Sequence, residues 1–178
     1  MNLCVFTGSA SGTRPVYRDA AVTLGRQMAG RGIGLVYGGG RVGLMGVLAD
    51  AVLDGGGRVI GVIPGFLEAR EVGHTGLTEQ HVVPTMHERK ALMADRADAF
   101  AAMPGGLGTL DELFEIFTWA QLGLHDKPIG LLNVAGYFDG LITLVDHMVA
   151  EGFVKPETRA RLRVAADPEA LLDQLVRR

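Results

Sequence analysis

A carboxylate placed just behind a glycine-rich turn is the clearest chemistry in this sequence. The stretch Met103-Pro104-Gly105-Gly106-Leu107-Gly108-Thr109-Leu110-Asp111-Glu112 follows an apolar run and opens an amphipathic one. Upstream, Asp98 to Met103 has the length and character of a buried strand, and downstream Leu110, Leu113, Phe114, Phe117 and Gln121 recur at helical spacing. Gly105, Gly106 and Gly108 let backbone N–H groups converge on one point without side-chain obstruction. The helix start adds unpaired donors and the positive end of its dipole. Gly105, Gly106, Leu107, Gly108 and Thr109 therefore form an expected phosphate cradle, with Glu112 as an acid beside it. Thr109 and Glu112 also fit a capping box, with Thr109 as N-cap. Capping alone requires neither Pro104-Gly105-Gly106 nor Gly108, and extra glycines ahead of a helix cost backbone entropy.

Two further clusters carry chemistry-bearing residues. Gly38-Gly39-Gly40-Arg41-Val42-Gly43 matches G-x-G-x-x-G between an expected strand and helix, so Gly39 and Gly40 are candidate nucleotide contacts. A dinucleotide site also wants an acidic residue about 20 positions further on, to hold a ribose. Here the next strand ends Val62-Ile63-Pro64, which favours a mononucleotide over NAD. Met86-His87-Glu88-Arg89-Lys90 reads equally as a solvated helix start or as a source of cations for a nucleotide facing the carboxylate. On spacing alone Glu71 reads as a surface residue. His74, His81, His87, His125 and His147 lack metal-ligand spacing, so no metal is expected. There is no G-x-S-x-G elbow, and the single cysteine, Cys4, sits in an apolar strand, which argues against a thiol nucleophile.

The elements that must position these residues alternate between strand-like and helix-like from end to end. Strands are expected at Leu3 to Phe6, Ile33 to Tyr37, Arg58 to Ile63, Gln80 to Val83, Asp98 to Met103 and Pro128 to Leu132. Helices are expected from Pro15 to about Arg31, from Gly43 through Leu53, and over Met86 to Arg96, Thr109 to Gln121, Tyr137 to Ala150 and Pro168 to Val176. Gly65 to Thr78 reads as an irregular loop. This order predicts an α/β fold, a Rossmann-like doubly wound parallel sheet with helices on both faces. At 178 residues it is expected to form one nucleotide-binding domain. The glycine-rich turns follow strands at their carboxyl ends, where open α/β sheets bind ligands, although Gly8 and Gly12 by themselves need no more than a tight turn.

A net charge of −3 and the lack of any basic run exclude a polynucleotide track, so no nucleic acid partner is expected. Apolar stretches are far shorter than a membrane span, so no membrane partner is expected either. One cysteine permits no internal disulfide, and the N-terminus lacks a charged leader before a long apolar segment, which together predict a cytoplasmic setting.

Pro104-Gly105-Gly106-Leu107-Gly108-Thr109-Leu110-Asp111-Glu112 resembles the PGGxGTxxE signature of the Lonely Guy (LOG) family, the cytokinin riboside 5′-monophosphate phosphoribohydrolases once labelled lysine decarboxylases. Met86-His87-Glu88-Arg89-Lys90, Val36-Tyr37-Gly38-Gly39-Gly40 with Gly43-Leu44-Met45-Gly46, and Thr118-Trp119-Ala120-Gln121-Leu122-Gly123 resemble that family in the same order, over essentially Leu3 to Phe153. Thr7-Gly8-Ser9-Ala10-Ser11 departs from it, since many members have a cysteine before the glycine and paired serines after it. The resemblance implies a Rossmann-like homodimer that needs no cofactor. It implies hydrolysis of the N-glycosidic bond of an N6-modified adenosine 5′-monophosphate, giving a free adenine-type base and ribose 5-phosphate. It places the essential arginine and glutamate on Arg89 and Glu112, and nucleotide contacts on Glu71, Arg89, Lys90, the Gly105 to Glu112 loop and Thr118. A general AMP nucleosidase, a non-catalytic nucleotide sensor on the same fold and a pyridoxal phosphate decarboxylase using Lys90 remain the alternatives.

Overall fold

In a computed structural model, which describes residues 1–68 and 73–176, the chain forms a seven-stranded, all-parallel sheet in the order β4-β3-β2-β1-β5-β6-β7. The strands are β1 (Asn2–Phe6), β2 (Gly34–Tyr37), β3 (Val59–Pro64), β4 (Glu79–Val83), β5 (Ala99–Ala102), β6 (Ile129–Leu132) and β7 (Leu162–Ala165). Between them run α1 (Pro15–Gly30), α2 (Gly43–Asp54), a short α3 (Gly65–Glu68), α4 (Met86–Arg96), α5 (Leu107–Gln121), α6 (Asp139–Ala150) and α7 (Pro156–Ala160), with α8 (Pro168–Val176) at the end.

The strands are apolar at successive positions because both faces of the sheet are covered. On one face Leu3, Val5, Leu35, Tyr37, Val59, Ala99 and Ala101 pack under α1, α2 and α8. On the other Cys4, Phe6, Val36, Ile60, Val62, Phe100 and Ala102 pack under α4, α5 and α6. Phe100 is 1% exposed, stacks on Phe6 at 6.1 Å between centroids, and carries the His125 ring and the Lys127 ammonium on its flanks.

β1 lies between β2 and β5, so the chain winds outward from it in both directions. The carboxyl ends of β1 and β5 therefore border a crevice from which successive connections diverge, the usual ligand position in a doubly wound sheet. Met103 donates its N–H to Phe6 O at 2.9 Å, and Gly8 donates to Pro104 O at 3.2 Å, so the two loops leave this point side by side.

The expected elements are present, with three differences. β7 and α7 lie in a stretch the sequence left unassigned, because Leu162-Arg163-Val164-Ala165 is a four-residue edge strand interrupted by an arginine. Part of the expected loop after β3 is helical, as α3, and Gly40 pairs with Gly73 in an isolated antiparallel bridge. The helix expected from Tyr137 starts at Asp139, behind a 3₁₀ turn at Val134–Gly136. In that turn Ala135 has φ 51 and ψ 33, a left-handed conformation that costs a residue with a Cβ about 1–2 kcal/mol. No helix among the described residues is long and apolar enough to cross a membrane.

Replacing Phe100 with Ala removes the ring that joins β1, β6 and the α5 side of the core. Urea unfolding should show a loss of about 3–5 kcal/mol.

Candidate active site

The site is assembled on α5. Its N-cap is Gly106, which offers no side-chain cap, and the helix begins at Leu107. Thr109 is thus the third helical residue and not the N-cap, so the capping-box expectation for Thr109 and Glu112 fails. A side-chain N-cap does form at α4, where Thr85 Oγ1 accepts from Glu88 N–H and the Thr85 hydroxyl donates to the Glu88 carboxylate, both at 3.2 Å. The first N–H groups of a helix lack intrahelical partners. At α5 they belong to Leu107, Gly108 and Thr109, with Gly106 just ahead, and no capping oxygen competes with an incoming anion. Gly105 permits the turn by close approach, since a Cβ there would lie 2.1 Å from Thr109 Oγ1 and 2.8 Å from Gly8 N.

These amides open into a cleft of about 200 Å³ lined by Ser9, Met45, Met86, Arg89, Glu112 and the Gly106–Thr109 turn, with Thr7, Gly8 and Asp111 at its edges. Across the Gly105–Gly106 peptide lies a second, more apolar hollow of about 290 Å³, walled by Tyr17, Leu44, Pro104 and Tyr137.

Arg89, in the charged cluster at the start of α4, is not a solvated side chain. It is buried at 5% exposure, donating from Nε to Val62 O at 3.2 Å and from Nη2 to Gly38 O at 3.0 Å. Its Nη1 faces Met86 Sδ at 3.9 Å and Glu112 Oε1 at 4.0 Å. A buried cation is tolerated only where hydrogen bonds replace its hydration, and the carbonyls at the ends of β2 and β3 supply them. Glu112 is itself 12% exposed, so this cation and anion share one wall of the cleft.

Lys90, the next residue, points elsewhere. Its Nζ lies 3.2 Å from both Asp111 Oδ2 and Glu115 Oε2 on α5. Burial alone would lower its pKa, yet the hydrogen bonds to Glu115 and Asp111 outweigh that and raise it above the ordinary value. An ammonium held in its charged form is the opposite of what Schiff-base chemistry requires. The other lysines, Lys127 and Lys155, do not line the cleft. The lysines here therefore do not fit a pyridoxal phosphate site. Burial likewise pushes the Cys4 thiol well up, with the Glu112 charge adding to the effect, so its nucleophilic thiolate is disfavoured.

Of the residues singled out from sequence, the structure brings together Arg89, Glu112, Gly106, Leu107, Gly108 and Thr109. Gly105 lies behind them on the side of the apolar hollow. Lys90, Thr118, Gly39 and Gly40 do not line the cleft, and Thr118 is exposed on α5. Glu71 lies outside the described residues. The glycines after β2 instead meet packing demands: a Cβ on Gly38 would lie 1.9 Å from Arg89 Nη2, and one on Gly39, at φ 76, would meet Ile63 at 3.1 Å. Leu44 and Met45, at the N-terminus of α2, donate to Gly8 O at 3.0 and 3.3 Å. Ser9, Met45 and Met86 were missed as lining residues; the methionines sit inside motifs already singled out but carry no chemistry that would mark them. Among the described residues no group of three or more His, Cys, Asp or Glu side chains gathers to hold a metal ion.

Uncapped helix amides at the reversal point of a doubly wound sheet, with an Arg–Glu pair beside them, make a candidate anion site on a Rossmann-like fold. Comparison with known proteins narrows this. A family profile described as "Possible lysine decarboxylase" matches residues 45–175. The chain is 54% identical over 173 residues to the probable cytokinin riboside 5′-monophosphate phosphoribohydrolase LOGL9 of Oryza sativa subsp. japonica, covering 97% of this chain and 76% of that protein. It is 52% identical to cytokinin riboside 5′-monophosphate phosphoribohydrolase LOG7 of Arabidopsis thaliana, covering 97% of this chain and 80% of that one. The chain belongs to the LOG family, the proteins that this profile and these names describe. The molybdenum cofactor carrier protein of Chlamydomonas reinhardtii superposes with a TM-score of 0.73 at 24% identity, covering 98% of this chain and 97% of that one, which establishes a shared fold.

Gly38→Ala should force the Arg89 guanidinium out of its carbonyl pocket. Steady-state kinetics should show kcat/KM down by about 100-fold or more, the cost of misplacing a catalytic group by an ångström, while circular dichroism shows the fold retained.

Proposed function

We propose that this chain hydrolyses the N-glycosidic bond of adenosine 5′-monophosphates carrying N6 substituents, releasing an adenine-type base and ribose 5-phosphate, the reaction that activates cytokinins. The observation that carries this is the position of the Arg89–Glu112 pair, 4.0 Å apart, at the edge of the uncapped α5 amides. Membership of a family whose named relatives are phosphoribohydrolases supports the same reaction.

The Gly106 to Thr109 amides take the 5′-phosphate, which needs no cation because helix-terminal N–H groups and the dipole supply the positive field. Glu112, on the same helix, then faces the ribose. Cleavage passes through an oxocarbenium-like sugar. The C1′–N9 bond breaks with its electron pair leaving on the base, and a water oxygen bonds to C1′ as Glu112 accepts the water's proton. The departing base takes up a proton from solvent to leave neutral, and Glu112 returns its proton to solvent before the next turnover. Glu112 stabilises the cationic sugar and activates water. Arg89 holds Glu112 in place and positions the nucleotide beside it, helping the base to depart. The family resemblance assigns supporting contacts to Lys90, Thr118 and Glu71, whereas Gly39 and Gly40 were candidates from the G-x-G-x-x-G match alone. Lys90 serves through Asp111, which borders the cleft.

A homodimer is the working form that the resemblance implies. Exposed Leu122 and Leu124 at the end of α5, at 66% and 68%, give apolar surface that a second copy would cover.

Glu112→Gln should lower kcat by about 10²- to 10⁴-fold while calorimetry still detects AMP binding; near wild-type turnover would remove Glu112 from the reaction. Side-by-side hydrolysis of AMP, isopentenyladenosine monophosphate and the free riboside separates the possibilities. Preference for the prenylated monophosphate is expected. Equal rates for the two monophosphates would make this a general AMP nucleosidase, and binding without release of base would make it a sensor.

A further inference from the structure

The turn that connects β6 to α6 is built to deliver one hydroxyl to the phosphate cradle. Ala135, at φ 51, is the one non-glycine residue with positive φ among the described residues, and Gly136 follows at φ 75. Such strain persists only where surrounding structure over-determines it, and it clusters at functional sites. Here the surroundings are on view. Asn133 accepts from Phe138 N–H through Oδ1 and donates from Nδ2 to Asp139 Oδ1, both at 2.7 Å. Its own N–H is held by Ala165 O at 2.8 Å. The reversed backbone swings Tyr137 away from the core and across the top of the sheet, where its ring packs edge-on against Tyr17 at 5.6 Å and Phe138 at 5.0 Å. Its hydroxyl donates to Gly105 O at 2.5 Å.

That carbonyl belongs to the Gly105–Gly106 peptide, the one immediately ahead of α5. In a trans peptide the C=O and the following N–H point in opposite directions, and no cis bond occurs among the described residues. Holding Gly105 O on the Tyr137 side therefore turns Gly106 N–H to the other side, towards the cleft that contains Arg89 and Glu112. The preceding carbonyl is held too, with Pro104 O accepting from Gly8 N–H at 3.2 Å and Thr7 Oγ1 at 3.0 Å. Gly105 and Gly106 have no side chains of their own to fix this orientation, so without external partners the peptide is free to rotate.

We infer that Tyr137 is a positioning residue for phosphate: its hydroxyl, set in place by the left-handed Ala135–Gly136 turn, orients the Gly105–Gly106 peptide so that the Gly106 amide meets the 5′-phosphate. This rests on the cradle assigned under the proposed function. The interaction lies on the phosphate and not on the reacting bond, so its loss weakens binding of anything that bears the phosphate and spares the chemical step.

Tyr137→Phe removes the hydroxyl and keeps the ring. In the full-length protein, the expected result is a KM for AMP raised by about 3- to 10-fold, the worth of one hydrogen bond. Inhibition by ribose 5-phosphate should weaken by the same factor, while kcat and inhibition by adenosine stay as in wild type. Ala135→Val, whose branched side chain resists the left-handed turn, should raise KM in the same way. An unchanged KM in Tyr137→Phe, an equal loss for adenosine and AMP, or a fall in kcat at constant KM overturns the assignment. Wild-type protein provides the separate check on the cradle. If it binds adenosine as tightly as AMP, the cradle and this role fall together; if it discriminates and Tyr137→Phe discriminates equally, the role of Tyr137 alone falls.

Discussion

The arrangement depends on a guanidinium buried among backbone carbonyls. Arg89 reaches from α4 across the ends of β2 and β3 and, through Gly38 O and Val62 O, ties three elements that are distant in sequence to one charge. An unsolvated cation there would be prohibitive, so the carbonyls, the glycine that makes room for it and the facing carboxylate of Glu112 stand or fall together. The positive group is thus held in place by the fold itself.

Around this fixed charge the successive turns of the N-terminal half of α5 do different work. The first turn has no cap of its own, and its glycines leave the amides open. Further along, Asp111 and Glu115 hold Lys90, bracing α4 against α5 at the level of the Arg89–Glu112 pair. The uncapped amides and the Glu112 carboxylate therefore sit on successive turns of one helix, which sets their spacing by the helix rise and leaves little to loop geometry.

Much of this was legible from the chain itself. Alternating apolar runs and helical periodicity gave the doubly wound sheet, and the turn before α5 stood out because glycines at Gly105, Gly106 and Gly108 exceed what capping needs. Other parts were hidden for physical reasons. Leu162 to Ala165 is a short edge strand with an arginine in it, and nothing local separates it from a loop. The glycines after Tyr37 look like a nucleotide fingerprint, whereas the tertiary structure uses Gly38 to admit Arg89. Thr109 looked like a cap because residue type reports on cap preference and not on where a helix starts; the helix begins two residues earlier. Tyr137 carried no signal at all, since its partner is a backbone carbonyl 32 positions away.

The N-terminus of α2 has its leading amides already engaged, because Leu44 and Met45 both donate to the carbonyl of Gly8. A doubly wound sheet offers several helix starts along its crevice, and a cofactor with two linked phosphates commonly exploits the one after a G-x-G-x-x-G turn. Here that berth is taken by the protein's own main chain. The fold has filled this second seat internally, and redesign towards larger cofactors would begin by unhooking Gly8.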